Sequence, residues 1–345
     1  MNNFRTMDKG NRNRLALTAM AVLMFGISCF AQKGDYHIVK TIPVGGEGKW
    51  DYLALSPVNN DLYVSHATQV NVIDKTTGEL KSSIENTTGV HGIAFVSSAG
   101  KGYTSNGKLN TLSVFDIHTN KVIGQIKVGE DPDAIMYESV SKMLFVCNGK
   151  SKDLSIVDPK TDAVVKIVPL GGKPETAVSD EAGHLYINIE DKSEVAVLDM
   201  KSLSVIGRYS LGHGEEPSGL AIDRKTQRLF AGCDNKLLIV LNAKTGKVVK
   251  ELPIGEGCDG VGFDPAMSQI YSSNGEDGTL TIIKEQSADA YKVIANIPTA
   301  KGAKTLTVDE KTHLLYLSTA DFSGIGKDGR PIIVPGTFHV LVIGK

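Results

Sequence analysis

The sequence predicts an all-β fold, a seven-bladed β-propeller, and three observations support this prediction. An aromatic anchor residue recurs seven times at intervals of 40 to 45 residues, a period that is typical of propeller repeats. Each repeat reads as four short strands separated by turns, which is the make-up of one propeller blade. The last repeat lacks its fourth strand, and a matching strand precedes the first repeat. The anchors are Tyr63, Tyr103, Phe145, Tyr186, Phe230, Tyr271 and Tyr316.

The elements of a repeat follow one order. An apolar inner strand, such as residues 93–95, opens the repeat and leads through a turn that often contains Pro or Asp to the anchor strand. An alternating strand, such as residues 112–116, comes next, and a turn of the Thr-Gly type connects the third strand to the outer strand, such as residues 122–128. Alternation and β-branched side chains favour strands, whereas clusters of Gly, Asp and Pro favour turns.

The two ends of the repeat array are expected to complete one blade. The last repeat stops after its third strand, at residues 338–343, and residues 36–44 match the outer-strand pattern. We therefore expect strand 36–44 to complete the last blade and to close the ring, which removes exposed strand edges. The predicted organisation is a single propeller domain over residues 36–345, without a second domain or a linker.

The first 31 residues resemble a secretion signal. Basic residues between Arg5 and Arg14 precede an uncharged stretch from Leu15 to Phe30, which is short for a membrane span. Cleavage after Ala31 would release a periplasmic or secreted protein without a membrane span, and lipoprotein anchoring at Cys29 is the alternative. Both interpretations predict an extracytoplasmic domain.

Composition and missing motifs limit the partners and cofactors. The chain has 345 residues and a net charge of −2, and its lysines are scattered. Because nucleic-acid binding normally needs clustered Lys and Arg, we expect no nucleic-acid partner. The absence of a Cys-x-x-Cys-His motif and of a Walker loop predicts neither haem nor a nucleotide cofactor. We expect a monomer in which Cys147, Cys233 and Cys258 are buried small residues, with a Cys233–Cys258 disulfide as the alternative.

Three motifs carry a resemblance to a known family. They are Leu62-Tyr63-Val64-Ser65, Val72-Ile73-Asp74-Lys75-Thr76-Thr77-Gly78 and Val128-Gly129. These motifs resemble YVTN-type (YncE-like) β-propeller repeats, and the resemblance covers essentially the whole mature chain. It implies a secreted or periplasmic seven-bladed propeller. It implies no single reaction, because related propellers include lactonases, lyases and subunits of quinoprotein dehydrogenases.

Aligned repeats place one set of side chains at the start of the inner strands. Since inner strands line the central channel of a propeller, the second residues of the seven inner strands should surround one mouth of the channel. Four of them are carboxylates, beside one His, one Ser and one Lys. This first ring consists of Asp51, His91, Asp133, Glu175, Ser218, Asp259 and Lys304.

A second set of polar side chains follows the anchors by two or three positions. These residues end the second strand of each repeat and enter a loop on the same face as the first ring. We expect the two rings to converge at one mouth of the channel. The second ring consists of His66, Asn106, Asn148, Asn188, Cys233 and Asn274.

The two rings define the candidate site. Carboxylates crowded around a narrow mouth are costly unless a cation or shared protons offset their charge. We expect Asp133, Glu175 and Asp259 to ligate a divalent cation, Ca²⁺, Mg²⁺ or Mn²⁺. His91 and Glu175 are the expected catalytic residues, and the general base is expected to be His91 or His66. The expected ligand-binding residues are Asp51, His66, Asn106, Asp133, Asn148, Asn188, Asp259, Asn274 and Lys304.

The sequence favours a binding or interaction protein whose channel mouth holds a small polar ligand or a periplasmic partner protein. Two alternatives are a metal-assisted lyase or lactone hydrolase and an accessory subunit of a periplasmic redox enzyme. A polar, water-filled channel is the structural alternative, because Asn at a strand end often bonds the local backbone. Near the mouth, we expect Trp50 to pack between blades or stack on a ligand, and Asp321 to Thr337 to form a surface loop or a lid.

Overall fold

The structure is a computed structural model that describes residues 35–327 and 329–345. The segment predicted to be a signal peptide, residues 1–31 with Cys29, lies outside the described residues. Among the residues that are described, no helix combines the length and the apolar character needed to span a bilayer.

Seven four-stranded antiparallel sheets form the blades of a propeller, which confirms the predicted fold class. The chain begins with β1 (His37–Pro43) and then forms blade 1 from β2 (Trp50–Leu55), β3 (Asp61–His66), β4 (Gln69–Asp74) and β5 (Leu80–Ile84). Blade 2 contains β6 (Val90–Val96), β7 (Lys101–Asn106), β8 (Thr111–Asp116) and β9 (Val122–Lys127). Blade 3 contains β10 (Pro132–Glu138), β11 (Met143–Asn148), β12 (Asp153–Asp158) and β13 (Ala163–Pro169).

The remaining blades repeat this order from the channel outwards. Blade 4 contains β14 (Pro174–Ser179), β15 (His184–Ile189), β16 (Glu194–Asp199) and β17 (Ser204–Ser210). Blade 5 contains β18 (Pro217–Asp223), β19 (Arg228–Cys233), β20 (Leu237–Asn242) and β21 (Val248–Pro253). Blade 6 contains β22 (Gly260–Asp264), β23 (Gln269–Asn274), β24 (Thr279–Ser287) and β25 (Ala290–Pro298). Blade 7 contains β26 (Leu306–Asp309), β27 (Leu314–Thr319), then a hairpin of β28 (Phe322–Ile325) and β29 (Pro331–Ile333), and finally β30 (His339–Gly344).

The N-terminal strand closes the ring as expected. Strand β1 pairs antiparallel with β30, from His37 opposite Gly344 to Pro43 opposite His339, and so becomes the outer strand of blade 7. Beyond the strand, the N–H groups of residues 44 and 45 both donate to the carbonyl oxygen of Phe338, at 2.9 and 2.8 Å. Ile42 is fully buried in the apolar cluster at this closure.

Trp50 packs between the first and last blades. Its ring stacks on Phe338 with 5.6 Å between ring centroids and lies 6.0 Å from Phe322 of the β28–β29 hairpin. Its Nε1–H group donates to the carbonyl oxygen of Gly302 at 2.9 Å. The residue therefore has the packing role at the ring closure, and the inserted segment from Asp321 to Thr337 contributes Phe322 to the same cluster.

The anchor residues hold neighbouring blades together. All seven anchors are buried in the apolar clusters that fill the space within and between blades. The hydroxyl groups of Tyr63 and Tyr103 donate to Asn120 and Asp162 of the following blade, each at 2.7 Å. The aromatic repeat of the sequence is thus a repeat of contacts between blades.

The inner strands of adjacent blades approach each other closely. A Cβ atom on Gly219 would stand 2.5 Å from the backbone nitrogen of Val261, and one on Gly260 would stand 2.9 Å from that of Leu306. In four repeats, the side chain two positions after the anchor clamps the next blade. It donates a hydrogen bond to the backbone carbonyl oxygen of the first-ring residue of that next blade. The donor and acceptor residues are Ser105 and Asp133, Asn188 and Ser218, Ser273 and Lys304, and Ser318 and Asp51.

The three cysteines of the described chain are free thiols, and all three are buried. Burial raises the pKa of Cys258 to about 12, and it raises that of Cys233 further. The structure therefore matches the expectation of small buried residues rather than a Cys233–Cys258 disulfide.

Truncation of the closing strand should weaken the whole ring. Ile42→Ala is expected to lower the free energy of unfolding by about 2–5 kcal/mol, because it removes a fully buried side chain from the closure. The change is measured by denaturant unfolding followed through the fluorescence of Trp50, the single tryptophan of the chain, which packs in the same cluster.

Ile38→Ala is the matched control, since Ile38 lies on the same strand but is 37% exposed. Its effect should stay within about 0.5–1 kcal/mol. Equal losses in the two variants would contradict the closure described here.

Candidate functional site

All seven first-ring residues line one cavity at the mouth of the channel. The cavity has a volume of about 340 Å³, and its first-ring residues lie at the start of an inner strand or just before it. Its lining holds seven carboxylates and only three basic side chains. The carboxylates are Asp51, Asp133, Glu175, Glu190, Glu216, Asp234 and Asp259, and the basic residues are His91, Lys173 and Lys304.

The structure does not bring the second ring to this cavity, which corrects the expected convergence. The Asn residues bond inside their own blades: the Nδ2 group of Asn106 donates to Ser113, that of Asn148 to Ser155 and that of Asn274 to Thr281, each at 2.9 Å. Residues His66, Asn106, Asn148, Asn188, Cys233 and Asn274 are all at most 3% exposed. The second ring caps the strand ends, and the structure assigns none of these side chains to the cavity.

Two members of the second ring have individual surroundings. His66 stacks on Phe338 at 4.1 Å between ring centroids, and burial lowers its pKa. Asn188 donates to the carbonyl oxygens of Ser218 and Gly219, both at 3.0 Å. Asn188 therefore occupies the clamp position that Ser105 and Ser273 hold in other repeats, and Ile189 is the true equivalent of Asn106.

Asp51, His91 and Asp133 form a connected group. The Nδ1 atom of His91 lies 2.6 Å from Asp51 Oδ2 and 3.8 Å from Asp133 Oδ1. Burial alone would lower the pKa of His91, but the hydrogen bond to Asp51 and the charges of Asp133 and Asp51 raise it to about 9. His91 is therefore an imidazolium at neutral pH, and in this state it cannot accept a proton as the general base that the sequence suggested.

Asp133 carries the least compensated charge of the group. Its Oδ1 atom is buried and has no hydrogen-bond partner among the described residues. Burial and the neighbouring charge of Asp51 raise the pKa of Asp133 to about 6, although His91 and two lysines act against this shift. An ionised carboxylate in this position is a strong attractor for a cation.

The two lysines neutralise the carboxylates on the other sides of the cavity. Lys304 lies 2.9 Å from Asp259 and 3.5 Å from Asp51, and Lys173 lies 2.7 Å from Glu175 and also contacts Glu190. Burial and the charge of Asp133 nevertheless raise the pKa of Glu175 to about 9. Burial by itself would raise the pKa of Asp51, but Lys304 and His91 outweigh this effect, so the pKa is lowered.

These pairings change the candidate metal ligands. The sequence predicted Asp133, Glu175 and Asp259, but Glu175 and Asp259 are engaged by Lys173 and Lys304. In the described part of the chain, the ligand atoms that lie within 4.8 Å of one another belong to Asp51, His91 and Asp133. The group that the geometry offers to a metal therefore shares only Asp133 with the predicted set.

Several residues of the cavity were missed because they break the repeat. The fourth position after the anchor is Gly or Ala in five repeats, but it is Glu190 in the fourth repeat and Asp234 in the fifth. A scan for repeat positions where a single residue departs from its equivalents would have found both. Lys173 and Glu216 come from the loops that lead into the inner strands, where the repeats differ in sequence.

Comparisons with known proteins support the fold. No protein-family model and no curated protein matches the sequence. Among solved structures, a chain of hydrazine synthase from Kuenenia stuttgartiensis is similar, with a TM-score of 0.70 and 17% sequence identity, over 81% of this chain and 94% of that chain. At this identity the likeness shows the propeller fold alone. Propeller folds carry many unrelated functions, so the chemistry has to be inferred from the cavity itself.

The raised pKa values predict that stability falls as the pH rises from about 6.5 to 9. In this interval the folded protein retains protons on Glu175 and His91, both with a pKa of about 9, that the unfolded chain has released. Because the folded state binds more protons than the unfolded state, the free energy of unfolding decreases with pH. Thermal unfolding at pH 6.5, 8 and 9 measures the decline.

Glu175→Gln tests the assignment, because the neutral amide imitates the protonated carboxyl group and should make the decline shallower. Glu79→Gln, at an exposed turn between β4 and β5, is the control and should keep the full decline. A wild-type melting temperature that stays constant over this interval would refute the prediction.

Proposed function

We propose that this chain is an exported propeller of the YVTN type that binds a small polar ligand with a positive charge at the mouth of its channel. The observation that carries the proposal is the cavity lining, in which seven carboxylates face three basic side chains. Such an excess of one charge in a recessed site attracts ligands of the opposite charge. A volume of about 340 Å³ suits a small molecule, so we favour a ligand over a partner protein.

Three carboxylates of the lining form none of the ion pairs with lysine or arginine that are found between the other lining carboxylates and Lys173 or Lys304 in the described part of the chain. Asp133 has a buried Oδ1 atom without a hydrogen-bond partner among the described residues, and Asp234 and Glu216 are exposed residues of the lining. Burial and the charges of Asp259 and Glu256 raise the pKa of Asp234, so a cation nearby would relieve repulsion. An amine is a suitable ligand group, because an ammonium ion donates several hydrogen bonds to carboxylate oxygens at once.

A matched pair of probes tests the sign of the charge. We expect 1,4-diaminobutane to bind and succinate, which has the same chain length, not to bind, as measured by isothermal titration calorimetry at low ionic strength. Asp133→Asn should weaken binding of the diamine about tenfold or more, because one charge-assisted hydrogen bond is lost.

Asp289→Asn is the control for this variant, since Asp289 is an exposed turn residue between β24 and β25 and should leave affinity unchanged. Preference for succinate, or equal affinities in wild-type and Asp133→Asn proteins, would overturn the proposal.

A metal-assisted lyase or lactone hydrolase is the second candidate, favoured by the group of Asp51, His91 and Asp133. One imidazole and two carboxylates suit Mn²⁺ or Zn²⁺ better than Ca²⁺ or Mg²⁺. A divalent ion there would polarise a carbonyl or lactone oxygen. His91 would then be a ligand rather than the general base, and Glu175, protonated below about pH 9, would be placed to donate a proton.

Metal-binding measurements on variants distinguish the group of Asp51, His91 and Asp133 from the ligand set predicted from the sequence. If the ion binds, His91→Gln and Asp133→Asn should abolish uptake of Mn²⁺ or Zn²⁺ by chelator-treated protein, measured by calorimetry and elemental analysis. Asp259→Asn should retain uptake, because Asp259 is paired with Lys304. Loss of uptake in Asp259→Asn but not in His91→Gln would restore the sequence-based set.

The third possibility, an accessory subunit of a periplasmic redox enzyme, has no specific support in the cavity. The similarity to a hydrazine synthase chain concerns the fold, and the alternative remains an expectation from the sequence.

A further inference from the structure

One residue of the inner strands breaks an otherwise uniform pattern. The position that follows the first ring is Gly, Ala or Thr in six repeats: Gly92, Ala134, Thr176, Gly219, Gly260 and Thr305. A Cβ atom on Gly92, Gly219 or Gly260 would meet the inner strand of the next blade. In the first repeat the same position is Tyr52. The phenol ring of Tyr52 is much larger than the side chains at the six equivalent positions, and it lines the channel.

Tyr52 lies between two cavities of the channel. It lines the polar cavity at the mouth and also a second cavity of about 190 Å³. From blade 1 its side chain packs against the apolar cluster of blades 3 and 4, and its hydroxyl group interacts with Thr176 of blade 4. Tyr52 thus forms the partition between the two cavities.

The second cavity has the opposite character to the first. Its lining comes from the inner strands of blades 1 to 4 and from Phe145, and it contains no charged side chain. The lining residues besides Tyr52 are Leu53, Gly92, Ile93, Ala134, Ile135, Met136, Phe145, Thr176 and Ala177. The volume of this cavity is sufficient for a phenyl ring, since a cavity of about 150 Å³ can hold a benzene molecule.

We propose that this second cavity is a subsite for the apolar arm of the ligand, and that Tyr52 decides which arms enter it. The inference rests on the proposed function, namely the binding of an amine at the mouth. It narrows the ligand class to a primary amine that carries a short apolar arm, of the size of a phenyl ring. The ammonium group stays among the carboxylates around Asp133, and the arm passes the ring of Tyr52 into the channel.

The physical basis of the proposal is that a carboxylate-lined cavity and an uncharged, mostly apolar cavity lie next to each other. An amine without an arm satisfies the carboxylates but leaves the apolar cavity empty, whereas an arm that fills it removes apolar surface from water. Burial of a phenyl group typically improves affinity by about tenfold or more. An arm with a second charge would be excluded, because nothing in the second cavity compensates a charge.

Calorimetric titration of the full propeller with ethylamine and with 2-phenylethylamine tests the proposal. We expect the phenyl compound to bind at least tenfold more tightly, with a more negative heat-capacity change, which reports burial of apolar surface. Ala177→Leu, which extends a side chain into the second cavity, should abolish this preference while the affinity for ethylamine stays the same.

A second variant keeps the test valid if Ala177→Leu fails to fold. Tyr52→Ala removes the partition and should increase the preference for 2-phenylethylamine, whereas Tyr52→Phe keeps the ring and loses only the interaction with Thr176. Equal affinity for the two amines in the wild-type protein, or a preference that survives in Ala177→Leu, would overturn the subsite while leaving amine binding intact. If neither amine binds but 1,4-diaminobutane does, the subsite fails and the proposed function stands, whereas if none of the three amines binds, both fail.

Discussion

The close approach of neighbouring inner strands is the constraint on which the rest of the structure depends. Between Gly219 and Val261, and again between Gly260 and Leu306, the strands leave no room for a side chain. The clamps from Ser105, Asn188, Ser273 and Ser318 hold the backbone of the first-ring residue in the next blade. The seven inner strands therefore start around one narrow mouth. The side chains at that level are brought close together regardless of their charge. The electrostatics of the cavity follow from the geometry of the fold.

The repeat made the fold and the first ring predictable, because equivalent positions in a closed ring share one environment. The same reasoning failed for the second ring. A polar residue that recurs at a strand end indicates that each repeat uses it in the same way, but this use can be a hydrogen bond inside the blade. Asn106 and Asn274 donate hydrogen bonds to Ser113 and Thr281 in their own sheets, so their role is local. Repetition alone does not separate such a task from ligand binding.

The residues that were not predicted are those that depart from the repeat or reach across it. Glu190 and Asp234 replace the small residues found at this position in the other five repeats, and Tyr52 replaces a Gly, Ala or Thr. The partners of Lys173 and Lys304 depend on where two flexible side chains end, which no spacing in the sequence specifies. This is why the group that the geometry offers to a metal differs from the set of carboxylates predicted from the sequence.

Protons take the place of a cation in the free cavity. Burial and mutual repulsion raise the pKa values of Asp133 to about 6 and of Glu175 to about 9, so part of the excess charge is cancelled by bound protons. A bound ammonium group would favour the ionised carboxylates and release these protons. By linkage, the cavity would hold a cation more tightly at higher pH, where the free protein is less stable. The liganded protein would then keep its stability as the pH rises, whereas the free protein would lose it. This behaviour is expected of a cation-binding site.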